Sequence, residues 1–147
     1  MKKEIIIVTI SLGNDGAERI LTELARQWVH DGHQITVIQT SPNRYGNEYA
    51  LEEGIEQIQI NTTSSNKVIR FMQEIKELIK ILKTRPNATC LSFLSASSFI
   101  LAISSWFVNN RIVFSERNNP RKVPIGWHQQ ALRNFAFRFA DALVFQT

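Results

Sequence analysis

Apolar and polar positions follow one another along this chain in two rhythms. EIIIVTI, residues 4–10, is a continuous β-branched run, the pattern of a strand covered on both faces of a parallel sheet. From Ala17 to His30 the rhythm changes. Ile20, Leu21, Leu24, Ala25 and Trp28 recur at the spacing of one helix face, and Asp31-Gly32 ends the pattern. HQITVIQT (33–40) returns to strand. After a polar, turn-rich loop with Pro42 and Gly46, IEQIQI (55–60) alternates as a half-buried strand does. NTTSSN (61–66) supplies capping residues for a helix over 67–83. Its stripe of Val68, Phe71, Met72, Ile75, Leu78, Ile79 and Leu82 is expected to be buried, and Pro86 marks its exit. A strand near 89–93, a helix near 97–107, a strand at 111–115, a helix near 128–140 and a last strand in ALVFQT complete the series. Strands alternating with helices, most with continuous apolar cores, predict an α/β fold: a Rossmann-like open parallel sheet with helices on both faces.

Length and composition narrow this picture. At 147 residues the chain makes one domain with a full core, and 44% apolar against 20% charged residues excludes a disordered chain. The opening MKKEIIIVTISLG has the basic-then-apolar order of a signal peptide, but Glu4 interrupts it and no small-residue cleavage site follows. The uncharged stretch ATCLSFLSASSFILAISSWFV (88–108) is long enough to span a membrane. Its serines and the Ser-Ala-Ser-Ser break predict a buried strand followed by a buried helix instead. A single cysteine, Cys90, excludes an internal disulfide framework, fits a reducing compartment, and reads as a small buried apolar residue.

The net charge of +4 is concentrated. Up to residue 110 basic and acidic side chains balance. Between 111 and 138, Arg111, Arg117, Arg121, Lys122, Arg133 and Arg138 face one acid, Glu116. Such a segment points to an anionic partner.

In open parallel sheets, ligands bind at the carboxyl ends of the strands. The loop after the first strand, Ser11-Leu12-Gly13-Asn14-Asp15-Gly16, is therefore the first candidate. Its glycines allow close backbone approach, and the amides opening the next helix can donate to an anion. Asp15 with Glu18 also fits a capping box that needs no ligand, so cap and cradle both stand on this loop alone. G-x-G-x-x-G and Gly-Lys-Ser/Thr are absent, and the second strand ends in Ile38-Gln39-Thr40 without a ribose-binding acid, which excludes a dinucleotide dehydrogenase. The second candidate is FSERNNPRK (114–122), where Glu116, Arg117 and Asn118 leave a strand end with groups that suit sugar hydroxyls and phosphate. A surface pair and an Asn119-Pro120 turn explain the same residues. His30, His33 and His128 are too scattered for a metal site, and none is expected. Arg121, Lys122, Trp127, Arg133 and Arg138 suit a membrane interface, with a docked helix whose arginines snorkel as the alternative. The lysines of 67–83 read as a solvated face.

Three segments carry a family resemblance: SLGNDGAERILTELARQWVHDGHQITVIQT, VFSERNNP and ADALVFQT. Together they resemble the N-terminal half of a GT-B glycosyltransferase of the retaining family 4, in the bacterial subset that builds surface polysaccharides. The resemblance implies an acceptor-side domain facing a C-terminal domain, absent from these 147 residues, that holds most nucleotide-sugar contacts. It places Gly13, Asn14, Asp15 and Gly16 near the donor phosphates and acceptor, with the Gly16 amide foremost. It places Glu116, Arg117 and Asn118 along the catalytic cleft, Arg117 standing where family members often have a histidine. Asp15-Gly16 stands where they tend to have Gly-Gly.

The implied partners are a UDP- or GDP-linked sugar as co-substrate, a glycan or lipid-linked acceptor, and the anionic inner face of the plasma membrane. No cofactor and no nucleic acid are expected. Localisation would be cytoplasmic and peripheral, and this piece alone would be inactive. The rival readings are a non-catalytic membrane-anchoring or scaffold subunit of a split glycosyltransferase, and an unrelated small-molecule-binding α/β domain.

Overall fold

A computed structural model of the chain describes residues 2–13, 16–41, 49–93, 95–116 and 127–145. The strands are β1 (Glu4–Thr9), β2 (Gln34–Gln39), β3 (Ile55–Gln59), β4 (Thr89–Phe93), β5 (Arg111–Glu116) and β6 (Ala142–Phe145). The helices are α1 (Gly16–His30), α2 (Lys67–Lys83), α3 (Ser95–Ser104) and α4 (Trp127–Phe137), with a 3-10 turn at Ser105–Phe107. All neighbouring strands pair in parallel, in the order β3-β2-β1-β4-β5-β6.

The central place of β1 explains its unbroken apolar sequence. Successive side chains of a strand point to opposite faces. Ile6 and Val8 join Ile38, Cys90, Ile112 and Phe114 beneath Leu78 of α2, Leu101 of α3 and Ala136 of α4. Ile7 joins Ile35, Val37, Leu91 and Phe93 beneath Leu21 and Ala25 of α1. Helices therefore lie on both faces. Right-handed crossovers require this when the chain leaves a central strand first towards one edge and then towards the other.

Within the serine-rich stretch 88–108 the strand β4 and Ile100, Leu101 and Ala102 of α3 are buried, as its composition predicts, whereas Trp106 and Phe107, expected in the buried helix, stand exposed in the 3-10 turn. The hydroxyls of this stretch find partners inside the fold: Ser104 Oγ donates to the Ile100 carbonyl (2.8 Å), and Ser92 and Ser97 Oγ lie 2.8 Å apart. Among the described residues no helix is long and apolar enough to cross a membrane. Cys90 is fully buried, and desolvation pushes its thiol up to about 12, far from a nucleophile's range. At the amino end of the sheet Arg85 binds Glu56 (2.8 Å) and Thr36, with Glu4 at 3.7 Å, so one guanidinium ties β1, β2 and β3 together. Burial alone would raise the Glu56 carboxyl, but its bonds to Arg85 and Thr36 outweigh this and hold it below the usual range.

Two expectations fail on the helices. Ile20 of α1 is 38% exposed, and on α2 Val68 and Met72 are 71% and 61% exposed rather than buried. The buried line of α2 runs through Ile75, Leu78 and Leu82. At about 100° per residue, Met72 lies about a quarter-turn from that line, and Val68 stands in the first turn. Apolarity in the sequence does not reveal whether a neighbouring element lies opposite.

Glu74 takes a buried place instead, with Arg70 at 3.8 Å. Desolvation raises its carboxyl, and the Arg70 charge offsets only part of the shift. A raised carboxyl in the folded state lowers stability once the pH exceeds the ordinary carboxylate value, because the folded form then holds the proton more tightly than the unfolded form. Glu74→Gln is therefore expected to raise the unfolding midpoint at neutral pH. That advantage should fade as the pH is lowered through the ordinary carboxylate range, as measured by denaturant titration at a series of pH values.

Candidate functional site

The strand order reverses between β1 and β4, so their carboxyl ends form the switch point at which open parallel sheets ordinarily bind ligands. Two helix starts stand at this rim: α1 opens at Gly16, after the loop that leaves β1, and α3 opens at Ser95, after β4. Both direct backbone amides and the positive ends of their dipoles towards the same rim.

The loop leaving β1 is held firmly at its base. Leu12 is fully buried among Ile7, Leu21 and Val37, and its carbonyl accepts from the Tyr49 amide at 3.0 Å. Thr9 and Ile10 carbonyls accept from the Thr40 and Ser41 amides (3.0 and 2.9 Å), which extends the pairing of β1 and β2 past the strand ends.

Above this anchor the glycines have more freedom than the fold uses. Among the described glycines only Gly32 and Gly54 have positive φ, at 83° and 93°. A Cβ built on Gly13 would meet Ser11 Oγ at 3.8 Å and Glu18 Oε1 at 3.9 Å, both ordinary contacts. A Cβ on Gly16 would meet nothing within 4 Å among the described residues. Neither backbone conformation nor packing therefore demands glycine at these positions. Glu18, in the first turn of α1, brings a carboxylate beside Gly13, which suits hydroxyl donors more than a bare anion.

Glu116 ends β5, one residue beyond Ser115, which pairs with Phe93 at the end of β4. The sheet thus brings the backbone of Glu116 to the same rim as Gly13 and Gly16, two strands from β1. Asn14, Asp15, Arg117, Asn118, Arg121 and Lys122 lie outside the described residues. The backbone of Trp127 opens α4 on that rim. Of the two α4-region arginines, Arg138 is exposed, whereas Arg133 is half-buried with its guanidinium 5.8 Å from the Phe137 ring centre. Arg133 therefore fits the snorkelling, docked reading better than a free membrane contact. Of the histidines whose side chains are described, His30 pairs with Glu52 at 3.1 Å and His33 accepts from the Lys3 amide.

Three features escaped the sequence reading. Gln39, at the end of β2, is buried, with Oε1 accepting from Gln57 Nε2 at 2.8 Å and its own Nε2 without a partner among the described residues. Only its place within an apolar run marks it in the sequence. A trough of about 720 Å³ runs along the α1 face of β4, β5 and β6, lined by Leu24, Trp28, Leu91, Phe93, Val113 and Phe145. Its mostly hydrocarbon lining resembles a helix seat, since parallel sheets are ordinarily covered on both faces. The third is the exposed tip of α2.

No family profile matches the chain, and no curated protein matches it in sequence. Among solved structures it is similar to MurG of Acinetobacter baumannii, at 14% identity and a TM-score of 0.66. The alignment covers 97% of this chain and 41% of the MurG chain, so these residues span less than half the length of that protein. The likeness shows the fold. The chain has a Rossmann-like α/β sheet, the fold of the part of MurG with which it aligns.

Proposed function

We propose that the chain is the acceptor-side domain of a retaining glycosyltransferase. It would move a sugar from a UDP- or GDP-linked donor to a glycan or lipid-linked acceptor in the synthesis of a surface polysaccharide. The observation that carries this reading is the 11–16 loop. It lies at the switch point of a GT-B-like sheet and holds two glycines that neither φ nor packing requires. Glycine without a structural need leaves the close approach of a ligand to the backbone as its reason.

In this reading the Gly16 amide and the start of α1 face the donor phosphates. Glu18 faces sugar hydroxyls, and Glu116, Arg117 and Asn118 are the residues that the resemblance assigns to the catalytic cleft. A second, donor-binding domain closes over the rim. The acceptor hydroxyl attacks the anomeric carbon on the face the phosphate leaves. The carbon–oxygen bond to phosphate breaks as the new glycosidic bond forms, and the hydroxyl proton passes to the departing phosphate. No protein nucleophile is needed, so this domain contributes positioning and stabilisation of the phosphate's charge. Catalysis would take place at the cytoplasmic face of the membrane, where a lipid-linked acceptor is presented.

The test is transfer of labelled sugar by the full-length polypeptide from a panel of nucleotide sugars to soluble glycan and lipid-linked acceptors. Transfer with the anomeric configuration retained supports the reading. Transfer with inversion removes the retaining assignment.

A further inference from the structure

The far end of α1 is tied to the base of the 11–16 loop through the segment that leads into β3. Tyr49 donates its amide to the Leu12 carbonyl at 3.0 Å, which fixes one end of this strap beneath the loop. Leu51 packs in the cluster that holds Ile7, Leu12 and Leu21, with Trp28 and Val29 of α1 in the same cluster. Gly54, at φ 93°, passes so close to α1 that a Cβ built on it would lie 3.4 Å from Val29 Cγ1. The Ile55 amide donates to the Glu52 carbonyl at 3.2 Å and turns the strap into β3.

A charged contact joins this strap to the last turn of α1. His30 Nε2 lies 3.1 Å from Glu52 Oε1. The other carboxylate oxygen, Glu52 Oε2, is buried and has no hydrogen-bond partner among the described residues. His30 also closes α1, where the negative pole of the helix dipole favours a cation. The imidazole proton therefore governs two attractions at once. Histidine changes charge between about pH 5 and 8, whereas carboxylates ordinarily stay ionised there. The contact is an ion pair at the acidic end of that range and at most a neutral hydrogen bond at the alkaline end. Most charged groups nearby are held elsewhere: Arg26 by Glu23, Asp31 by Gln27, Glu56 of β3 by Arg85, and His33 by the Lys3 amide. Glu53 is exposed beside Glu52 and adds to the negative charge that favours a protonated His30.

We propose that His30 and Glu52 form a proton-dependent tie that sets how firmly the strap holds the base of the 11–16 loop. His30 is then a positioning residue, acting on the loop through Glu52, Tyr49 and Leu12. The tie is present at low pH and is lost as the pH rises, because the folded protein gains from the proton on His30. Both side chains are partly in water, at 55% and 36% exposure, so solvent screens the pair and the response is graded. Its consequence for catalysis rests on the transferase reading; the tie itself does not.

The test is amide hydrogen exchange in residues 49–54 of the full-length polypeptide at about pH 5.5 and about pH 8, corrected for the intrinsic pH dependence of exchange. Protection should be about twofold to fivefold greater at the acidic pH. His30→Gln and Glu52→Gln should each abolish the difference and leave the strap loose at both pH values. His30→Lys, which keeps a cation at the helix end, should leave it firm at both. His33→Gln should retain the difference, and thermal melts confirm that each variant folds. The proposal is overturned by equal protection at both pH values in the unsubstituted protein, or by a difference that survives His30→Gln. It is equally overturned if His30→Lys is as loose as His30→Gln, or if His33→Gln abolishes the difference.

Sugar transfer measured on the same variants separates the tie from the function it serves. The kcat/KM of His30→Lys relative to the unsubstituted protein should rise about twofold to fivefold from the acidic to the alkaline pH. A constant ratio, with transfer present, overturns the positioning role. The predicted exchange pattern without transfer from any donor leaves the tie standing and overturns the transferase reading.

Discussion

Gly16→Ala is expected to leave the fold as stable as before, or more stable by up to about 1 kcal/mol, since alanine is the better helix former. Sugar transfer by the full-length polypeptide should fall by about a hundredfold, the cost of displacing a reacting group by about an ångström. The two halves of this result come from different observations. Among the described residues a Cβ at residue 16 meets nothing within 4 Å, and the residue does not have positive φ, so these residues tolerate it. A ligand seated on the α1 amides would not, because the added methyl occupies the space of its approach. Denaturant unfolding and steady-state transfer on the same preparation check both halves. Equal activity in the two proteins would assign the loop to capping alone.

Leu12→Ala should do the reverse and act first on stability. Leu12 is fully buried and packs beneath the loop with Ile7, Leu21 and Val37. Truncation removes its burial and leaves a cavity, at a cost of about 2–5 kcal/mol. In a domain of this size that corresponds to a fall in melting temperature of roughly 5–15 °C. The Leu12 carbonyl also receives the Tyr49 amide, so loosening this residue loosens the base of the loop. Transfer should fall even at temperatures where the variant is folded. A melting temperature within about 2 °C of the unsubstituted protein would show that the loop does not depend on this anchor.

The contrast between these two residues shows what the sequence could reveal. β1 was legible because a strand covered on both faces has no polar alternation to obscure it, and EIIIVTI has none. The N-terminus of α2 was legible because Asn66 is a capping residue, and it does accept from the Val68 and Ile69 amides. The burial of α2 was only half legible. Periodicity put Val68 and Met72 on the same stripe as Leu78, yet burial depends on what lies opposite, which is a property of the tertiary structure. Glu74 shows the converse, a charge drawn into a buried place by the helix register around it.

For the site, the position of the loop after β1 followed from fold class alone, and the sheet order confirmed it as the switch point. The absence of a structural need for Gly13 and Gly16 was not legible, because it rests on φ values and neighbour distances. Gln39 lacks the carboxylate that would mark a ribose-binding strand end in the sequence. Only the structure shows it as a buried amide held by Gln57. The basic cluster between Arg111 and Arg138 drew attention by composition. On α4, however, packing turns Arg133 towards Phe137, while the exposed apolar tip with cations beside it lies on α2. Charge counts locate a segment but not the face it presents.

The central claim is that the 11–16 loop seats a retaining sugar transfer. Its most direct measurement follows labelled sugar from UDP- and GDP-linked donors onto a lipid-linked acceptor, with the full-length polypeptide and its Gly16→Ala variant side by side. NMR of the product then reads the anomeric configuration. The account predicts transfer with retention by the unsubstituted protein and a loss of about a hundredfold in the variant. Transfer at the same rate by both would contradict it, as would no transfer from any donor in the panel.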